Sequence, residues 1–452
     1  MNRVYHIYIV LMLAILSACV LNSCVSDLHD MDFEHVPAGE EKESDVLDRV
    51  VTEESRKVLL LYSAGFNSLS TYLQQDIEDL KTGYLPYLRR NDDVLLVYSH
   101  FPARKGVYTA ASSPVLTRLG RTMDGEIVAD TLVVYDKTSI SASAEHMNEV
   151  LTYVKDEFPA KAYGMIVSSH ATGYLPSGYY SSSDKYENGL LPVSLMSPSS
   201  TSTPVPYVEP EYDADYPPVK SIGQTLVSGE DGTMSYEMDI KDFADAIPMH
   251  MDYILFDACL MGGIEVAYEL KDVCDVIAFS QAEVLAEGLN YSTLGTHLLD
   301  KEEPLILEVC KDYFTQYDNQ SGVMRSATIS LVDCRKLEGL ASLCRNLFSA
   351  YRDSVSSLDH SKVQRFYRSS YHWFYDLESI LTNAGISEFE LEQLYDELEE
   401  CVIYKAATPS FMNSFAIDVF SGFSMFLPSH GGNYLKTYYR TLEWNKATGL
   451  VE

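Results

Sequence analysis

Two short strings in this chain hold residue types that do nucleophilic chemistry. In Ser168-Ser169-His170-Ala171-Thr172-Gly173-Tyr174 an imidazole closes an apolar run, and in Phe256-Asp257-Ala258-Cys259-Leu260-Met261-Gly262-Gly263 a thiol does the same. A thiolate attacks carbonyl carbon readily, and an imidazole titrating near neutrality can move the protons that such an attack requires. Taken singly, each residue has an ordinary explanation: a histidine satisfied at a strand end, and a buried, inert thiol. Together, at the ends of two strands that could be neighbours, they would supply a nucleophile and its acid/base partner. A thiol just ahead of a helix start would also have its ionised form favoured by the helix N-terminus. Asp257 lies two residues before Cys259, and residues i and i+2 of a strand share a face, so its carboxylate can reach the cavity that holds the thiol. A cap on the following helix is the other use open to it.

Such residues need a scaffold that presents them, and the rest of the chain reads as alternating strand and helix. Residues 58–62 are a short apolar run ending in a Ser-Ala-Gly turn, and residues 68–80 place apolar side chains at helical spacing. The alternation predicts strands at 94–98, 131–135, 163–169, 253–256, 276–279 and 327–332. It predicts helices at 144–158, 240–246, 263–270 and 336–351, two more reaching about Lys405, and a final strand pair near 415–427. Continuous apolar strands between helices specify an α/β fold whose mostly parallel sheet is covered on both faces. Ligands bind such sheets outside the carboxyl ends of the strands, which is where both strings lie. Between Gly173 and Gly223 the periodicity gives way to a Ser, Pro and Tyr rich stretch, a long loop of the kind that is functional or disordered.

The two strings resemble the clostripain family of cysteine peptidases, relatives of the caspases, gingipains and legumains, in which a His-Gly motif ends one strand and an Asp-Ala-Cys motif ends the next. The resemblance extends to an Asn-x-Leu turn at Asn67-Ser68-Leu69 and to a Ser-rich, Gly-x-x-Tyr loop over 280–291. It also covers the late string Ser421-Gly422-Phe423-Ser424-Met425-Phe426-Leu427-Pro428, and so spans about Arg56 to the C-terminus. It implies a caspase-like α/β/α sandwich, with a peptidase core over 56–300, a long loop over 174–222, and a C-terminal mixed α/β region over 301–452 that completes the fold. It implies that Cys259 attacks the scissile carbonyl and His170 protonates the leaving amine, with the backbone N–H groups of Cys259 and Ala171 as the oxyanion hole. Asp257 would line the pocket for an Arg or Lys before the cut bond, and a second acid of the 281–287 loop, Glu283 for instance, could contribute. Relatives often cleave themselves in the loop between the two strings, and over 174–222 Lys185 and Lys220 are the basic residues available. No cofactor or metal is required, although some relatives use calcium and acidic loops here permit it. Three departures stand out. Ala171 replaces the Gly after the His, so a positive φ there would strain or displace the oxyanion donor; Tyr174 and Gly288-Leu289 replace a Trp and a Gly-Trp. The alternative reading is a surface lipoprotein of the same fold that binds peptide or glycan without cutting it, and a third is a peptidase with another side-chain preference.

The 452 residues carry 33 basic and 66 acidic side chains, a formal charge of −33. A surface this acidic repels phosphate backbones, which excludes nucleic acid as a partner, and concentrates cationic molecules nearby. Arg3 precedes an apolar run over 7–16, too short to span a bilayer and suited to a secretory signal over residues 1–24. Cys19 and Cys24 each end a string that resembles a bacterial lipobox, and residues 25–55 read as an acidic tether. The expectation is an exported lipoprotein anchored at the outer membrane or cell surface, with a soluble secreted product as the alternative. Six further cysteines, at 259, 274, 310, 334, 344 and 401, show no metal-ligand spacing and argue against zinc.

Overall fold

Val58, Leu59, Leu60, Leu61 and Tyr62 are all buried, as a strand covered on both faces requires, and they form the middle of β1 (Ser55–Ala64). A computed structural model describes residues 55–89, 92–103, 112–190, 203–204, 218–219, 225–229, 232–369 and 372–452. Cys19, Cys24, the leader over 1–24, all of the tether but Ser55, and Lys220 lie outside the described residues. Among those described, no helix is long and apolar enough to cross a membrane.

After β1 come α1 (Ser70–Thr82), β2 (Val94–His100), β3 (Val115–Arg121), β4 (Ile127–Val134), α2 (Ala144–Glu157) and β5 (Ala160–Ser168). The middle of the chain holds α3 (Tyr179–Glu187), the small antiparallel sheet β6 (Thr203–Pro204), β7 (Thr225–Gly229) and β8 (Gly232–Tyr236), then α4 (Ile240–Asp245) and β9 (Met251–Asp257). It continues through α5 (Ile264–Leu270), β10 (Cys274–Phe279), α6 (Tyr291–Leu298), α7 (Ile306–Asp318) and β11 (Thr328–Asp333). The last part holds α8 (Leu337–Ala350), α9 (Arg352–Ser356), β12 (Tyr375–Asp376), α10 (Leu377–Ala384), α11 (Glu388–Cys401) and β13 (Val402–Ala407). Short strands β14 (Ser410–Phe411), β15 (Phe415–Ala416) and β16 (Ser424–Met425) precede α12 (Asn433–Tyr439) and α13 (Glu443–Thr448).

Nine strands form one sheet in the order β13-β11-β10-β9-β5-β1-β2-β3-β4. The five central strands are parallel, and an antiparallel pair extends each edge, β3 with β4 on one side and β11 with β13 on the other. Consecutive residues of β9 show the two layers that cover it. Phe256 meets Phe243 of α4, with ring centroids 5.6 Å apart, whereas Asp257 meets Tyr291 of α6. α2, α4, α5, α13, α8 and α11 follow one another along the first layer, and α1, α6 and α7 along the second. This is the α/β/α sandwich of the caspase-like fold.

The structure departs from the sequence pattern where apolar periodicity is weakest. β3 carries two arginines and a glycine near the sheet edge, so it offers no apolar run to read. α11 ends at Cys401, and the β-branched pair Val402-Ile403 opens β13, where the pattern continued a helix to about Lys405. The stretch after Gly173 contains α3, and the strand pair expected near 415–427 is two separate pairings: β15 with β14, and β16 with β12.

Gly164 in the middle of β5 has no room for a side chain. An added Cβ would lie 2.0 Å from Cζ of the buried Tyr253 on β9. Gly164→Ala is expected to cost about 1–3 kcal/mol by overpacking. Urea unfolding should show a lower midpoint at the same slope, and an unchanged midpoint would mean that the Tyr253 ring moves aside freely.

Candidate active site

β5 and β9 are hydrogen-bonded neighbours with Ser168 opposite Asp257. His170 and Cys259, each two residues further along, therefore leave the same edge of the sheet from strands about 4.8 Å apart. From β1 the chain passes to β2 on one side and later returns to β5 on the other, which makes the gap between β1 and β5 the switch point of the sheet. Asn67 builds the turn at that point. Its Oδ1 accepts from the Leu69 N–H at 3.0 Å, and its Nδ2 donates to the Ala64 carbonyl at 2.9 Å. The turn sets Ser68 Oγ 2.9 Å from Nε2 of the half-buried His170, and Ser169 Oγ donates to the same Ala64 carbonyl at 3.0 Å.

Cys259 is wholly buried. The Val284 N–H donates to Sγ at 3.0 Å, and Sγ reaches the Val284 carbonyl at 3.6 Å. The turn after the thiol is strained: Leu260 has φ of 62°, a left-handed conformation unusual for a branched side chain. The turn is held by Leu260 N–H donating to the Ala282 carbonyl at 2.9 Å and Gly262 N–H to that of Ser280 at 2.7 Å. Gly173, also left-handed at 63°, lies so close that a Cβ would come within 2.5 Å of the Leu260 carbonyl oxygen. Only glycine lets the loop after His170 close against the thiol's turn. Among the described non-glycine residues, positive φ falls at Leu260, Met412 and Asn413, so Ala171 does not meet the conformational obstacle that a Gly-requiring position would present. The helix start lies further from the thiol than the sequence implied. α5 begins at Ile264 with Gly263 as its cap, and the donor to the sulfur is the Val284 amide.

Asp257 is buried, and its Oδ2 accepts from Tyr291 Oη at 2.6 Å and Ser168 Oγ at 3.1 Å. It does not cap α5, so of its two uses that one is removed. Glu283, one residue before the sulfur's partner, is fully buried and forms a two-pronged ion pair with Arg368, at 2.7 Å from Nε and 2.8 Å from Nη2. Burial opposes the charge on Arg368, but the pairing with Glu283 outweighs it and holds the guanidinium pKa above its ordinary value. Nothing in the string Phe366-Tyr367-Arg368-Ser369 marks that arginine, because no periodicity fixes where such a loop returns to the sheet.

The segment between the two strings crosses this site. The Ala286 N–H donates to the Pro218 carbonyl at 3.0 Å, and Val219 makes an antiparallel bridge with Leu285. Lys185 is exposed, yet it sits in the last turn of α3 rather than in a loop. That helix is tied down by Tyr186 Oη donating to the Ser177 carbonyl at 2.9 Å and by Glu187 accepting from the Tyr434 and Leu435 amides at 2.8 and 3.1 Å. On the opposite face a cavity of about 100 Å³ lies beside His170, walled by Tyr62, Met147, Phe243, Phe256 and Met261. Glu237 borders it and accepts from Thr172 Oγ1 at 3.0 Å; burial pushes its carboxyl up to about 7.

Among the described residues, no group of three or more His, Cys, Asp or Glu side chains is placed to hold a metal ion. The six described cysteines are buried free thiols, and burial pushes Cys310 and Cys401 up to about 12.

The sequence profile of the clostripain family matches residues 61–186 and 211–449. The chain belongs to that family. It is therefore a cysteine peptidase, a hydrolase built on the caspase-like fold. Among solved structures it is similar to an inactive zymogen C11 protease from Parabacteroides distasonis, at 27% identity and a TM-score of 0.67 over 88% of this chain and 99% of that one. Two structures of a secreted C11 cysteine protease from Bacteroides thetaiotaomicron share the fold. One is called iotapain, at 24% identity and a TM-score of 0.65; the other is in complex with an irreversible peptide inhibitor, at 23% and 0.63. Each of these covers 87% of this chain and 99% of its own. No curated protein matches the chain.

Glu237 ties Thr172, next to Ala171, to the start of α4, and its raised pKa links that tie to pH. The carboxyl keeps its proton in the folded state to about pH 7, whereas in the unfolded chain it loses it from its ordinary value of 4.5 upward. Stability should therefore fall as pH rises through that window, by on the order of 3 kcal/mol, and level off above it. Glu237→Gln is expected to be more stable than the wild type at pH 8 and to lose that advantage at pH 5. Urea unfolding of both proteins at the two pH values checks this, and a difference independent of pH would mean that Glu237 titrates normally.

Proposed function

We propose that the protein is an endopeptidase that cuts after Arg or Lys through a Cys259/His170 dyad. The observation that carries the reading is the β5/β9 register, which sends the imidazole and the thiol out of adjacent strand ends. Sγ attacks the scissile carbonyl, and the backbone N–H groups of Cys259 and Ala171 stabilise the oxyanion. The tetrahedral intermediate collapses to a thioester as the C–N bond breaks, and His170 gives the leaving amine its proton. Water then attacks the thioester, returning an acid and the free thiol. Asp257, the last residue of β9 and two before the thiol, adds negative charge behind the pocket for the basic side chain. The edge at Leu285 and Ala286, where Pro218 and Val219 now pair, is a suitable rail for an extended substrate.

In the uncut chain the thiol is buried and that rail is occupied by the chain itself, which supports activation by cleavage within 174–222. The similarity to a protein described as an inactive zymogen supports the same reading. A cut after Lys185 would require α3 to unwind first, since proteases need an extended strand; Lys220 adjoins the segment on the rail. Cys19 or Cys24 would anchor the exported protein to a membrane.

Protein lacking residues 1–24, as wild type and as Cys259→Ala, should be incubated with an Arg-containing peptide and both reactants followed by mass spectrometry. Cleavage of the peptide, with a chain cut after Lys185 or Lys220, is expected only in the wild type, with a loss of at least about 10³-fold in the variant. Cleavage that survives Cys259→Ala would remove the thiol mechanism. Intact peptide with folded wild-type protein, pre-cut at Lys220 by an added protease, would favour a module that binds without cutting.

A further inference from the structure

The cavity on the sheet face away from Asp257 has no part in the mechanism above, and neither Cys259 nor Asp257 lines it. Its volume of about 100 Å³ has room for about three waters, or for one short chain of about five heavy atoms. Tyr62, Met147, Phe243, Phe256 and Met261 give it apolar and aromatic walls. Ala142, Ala171 and Met238, also in its lining, are only half-buried, which gives a small molecule a side from which to enter. One carboxylate borders this apolar space. Glu237 is 7% exposed; its Oε2 accepts from Thr172 Oγ1 at 3.0 Å, and its Oε1 has no hydrogen-bond partner among the described residues. Burial raises its pKa, against Thr172 and the Gly178 amide, and the like charge of Asp239 raises it further. The other titratable groups around it are Tyr186 from α3 and His170 in the cavity lining, while Lys241 acts on Asp239. A carboxylate so buried gives up its charge or takes a cation from outside.

We propose that this cavity is a binding site for a short free alkylammonium ion, its nitrogen paired with Glu237 and its chain packed among Tyr62, Phe243, Phe256 and the two methionines. Burial of the chain supplies affinity, the aromatic rings tolerate a cation at their faces, and the carboxylate selects an amine over an alcohol of the same length. The site needs no substrate position, so it stands or falls apart from the peptidase reading. Its link to activity rests on that reading. Thr172 follows Ala171, and an ammonium that keeps Glu237 charged makes its hydrogen bond from Thr172 charge-assisted, which steadies the loop that carries the oxyanion donor.

The probe is n-butylammonium chloride, added to the uncut chain at constant ionic strength. At pH 8, millimolar concentrations are expected to raise the melting temperature by a few degrees, while butan-1-ol at the same concentration leaves it unmoved. At pH 5 the carboxyl, with its pKa at about 7, must lose a proton before it can pair, so the affinity is expected to be about 100-fold lower. Protonation of His170 would act in the same direction, so Glu237→Gln is the variant that assigns the charge. Glu237→Gln, which keeps the shape, and Ala142→Met, which fills the cavity and leaves the carboxylate, are each expected to abolish the shift at pH 8. A shift that survives either variant would place the cation elsewhere, the pocket for a substrate's basic side chain included, and would overturn the proposal. An equal shift with butan-1-ol, or equal binding at pH 5 and pH 8, would overturn it too, and no shift at pH 8 in folded wild type would mean that the cavity takes water only. Binding that depends on Glu237 in a protein that cuts no peptide would uphold the site and remove only its link to activity.

Discussion

The parallel pairing of β5 with β9 is the constraint on which the site depends. With Ser168 opposite Asp257, two chain segments separated by almost ninety positions leave the sheet together, one carrying an imidazole and the other a thiol. A one-residue slip in that register would turn every β9 side chain to the other face. Asp257 would then point toward the layer that holds Phe243, and Phe256 toward Tyr291. The slip is costly because it would take the buried Asp257 carboxylate from its donors Tyr291 and Ser168 and break the contact of Phe256 with Phe243. The core that stabilises the fold is therefore the same device that aligns the reactive groups, and each central Val, Leu or Ile contributes about 1.5–3 kcal/mol to both.

Around that aligned edge the chain places features that cost stability. Leu260 holds a left-handed backbone, Gly173 gives up its side chain to lie against it, and Glu283 is a carboxylate without water. Each is offset locally: the Leu260 turn by amide bonds to Ala282 and Ser280, and the carboxylate by Arg368. The late Ser-Gly-x-Ser string contributes as well. Ser424 donates its amide to the Gly262 carbonyl at 2.8 Å, and Gln281 reaches the Gly422 carbonyl at 2.7 Å, so the late string braces the turn after Cys259 from outside the main sheet. Strain of this kind persists only where neighbours over-determine it.

Much of this was legible in the sequence, and the boundary of what was legible has a physical cause. Residues 58–62, 163–169 and 253–256 announce themselves because a strand buried on both faces must be apolar throughout, and the reactive residues follow those strands directly. β3 and α3 did not, since a strand one place in from the sheet edge with Arg118 and Arg121 and a helix with Ser181, Ser182 and Ser183 satisfy no apolar period. The acid at 283 could be nominated from its loop, but its ion pair could not be read, because its partner Arg368 arrives 85 positions later. Side chains that meet through irregular loops leave no spacing to read. Asp257 illustrates the converse: the i, i+2 rule relates it to the thiol, whereas its hydrogen-bond partners, Ser168 and Tyr291, come from other elements.

Under the function proposed above, the main-chain contacts beside the thiol are of the kind an extended substrate would make. Pro218 and Val219 pair with the backbone of Ala286 and Leu285, and Arg368 neutralises a buried acid. Exchanging one strand for another on that edge replaces main-chain bonds by main-chain bonds. Such an exchange leaves no unpaired amide, one of the terms that make opening a protein interior expensive. A cover built from apolar side chains with no substrate counterpart would have to be exposed to water before the site could work. Under the function proposed above, closure and substrate binding would draw on the same main-chain edge.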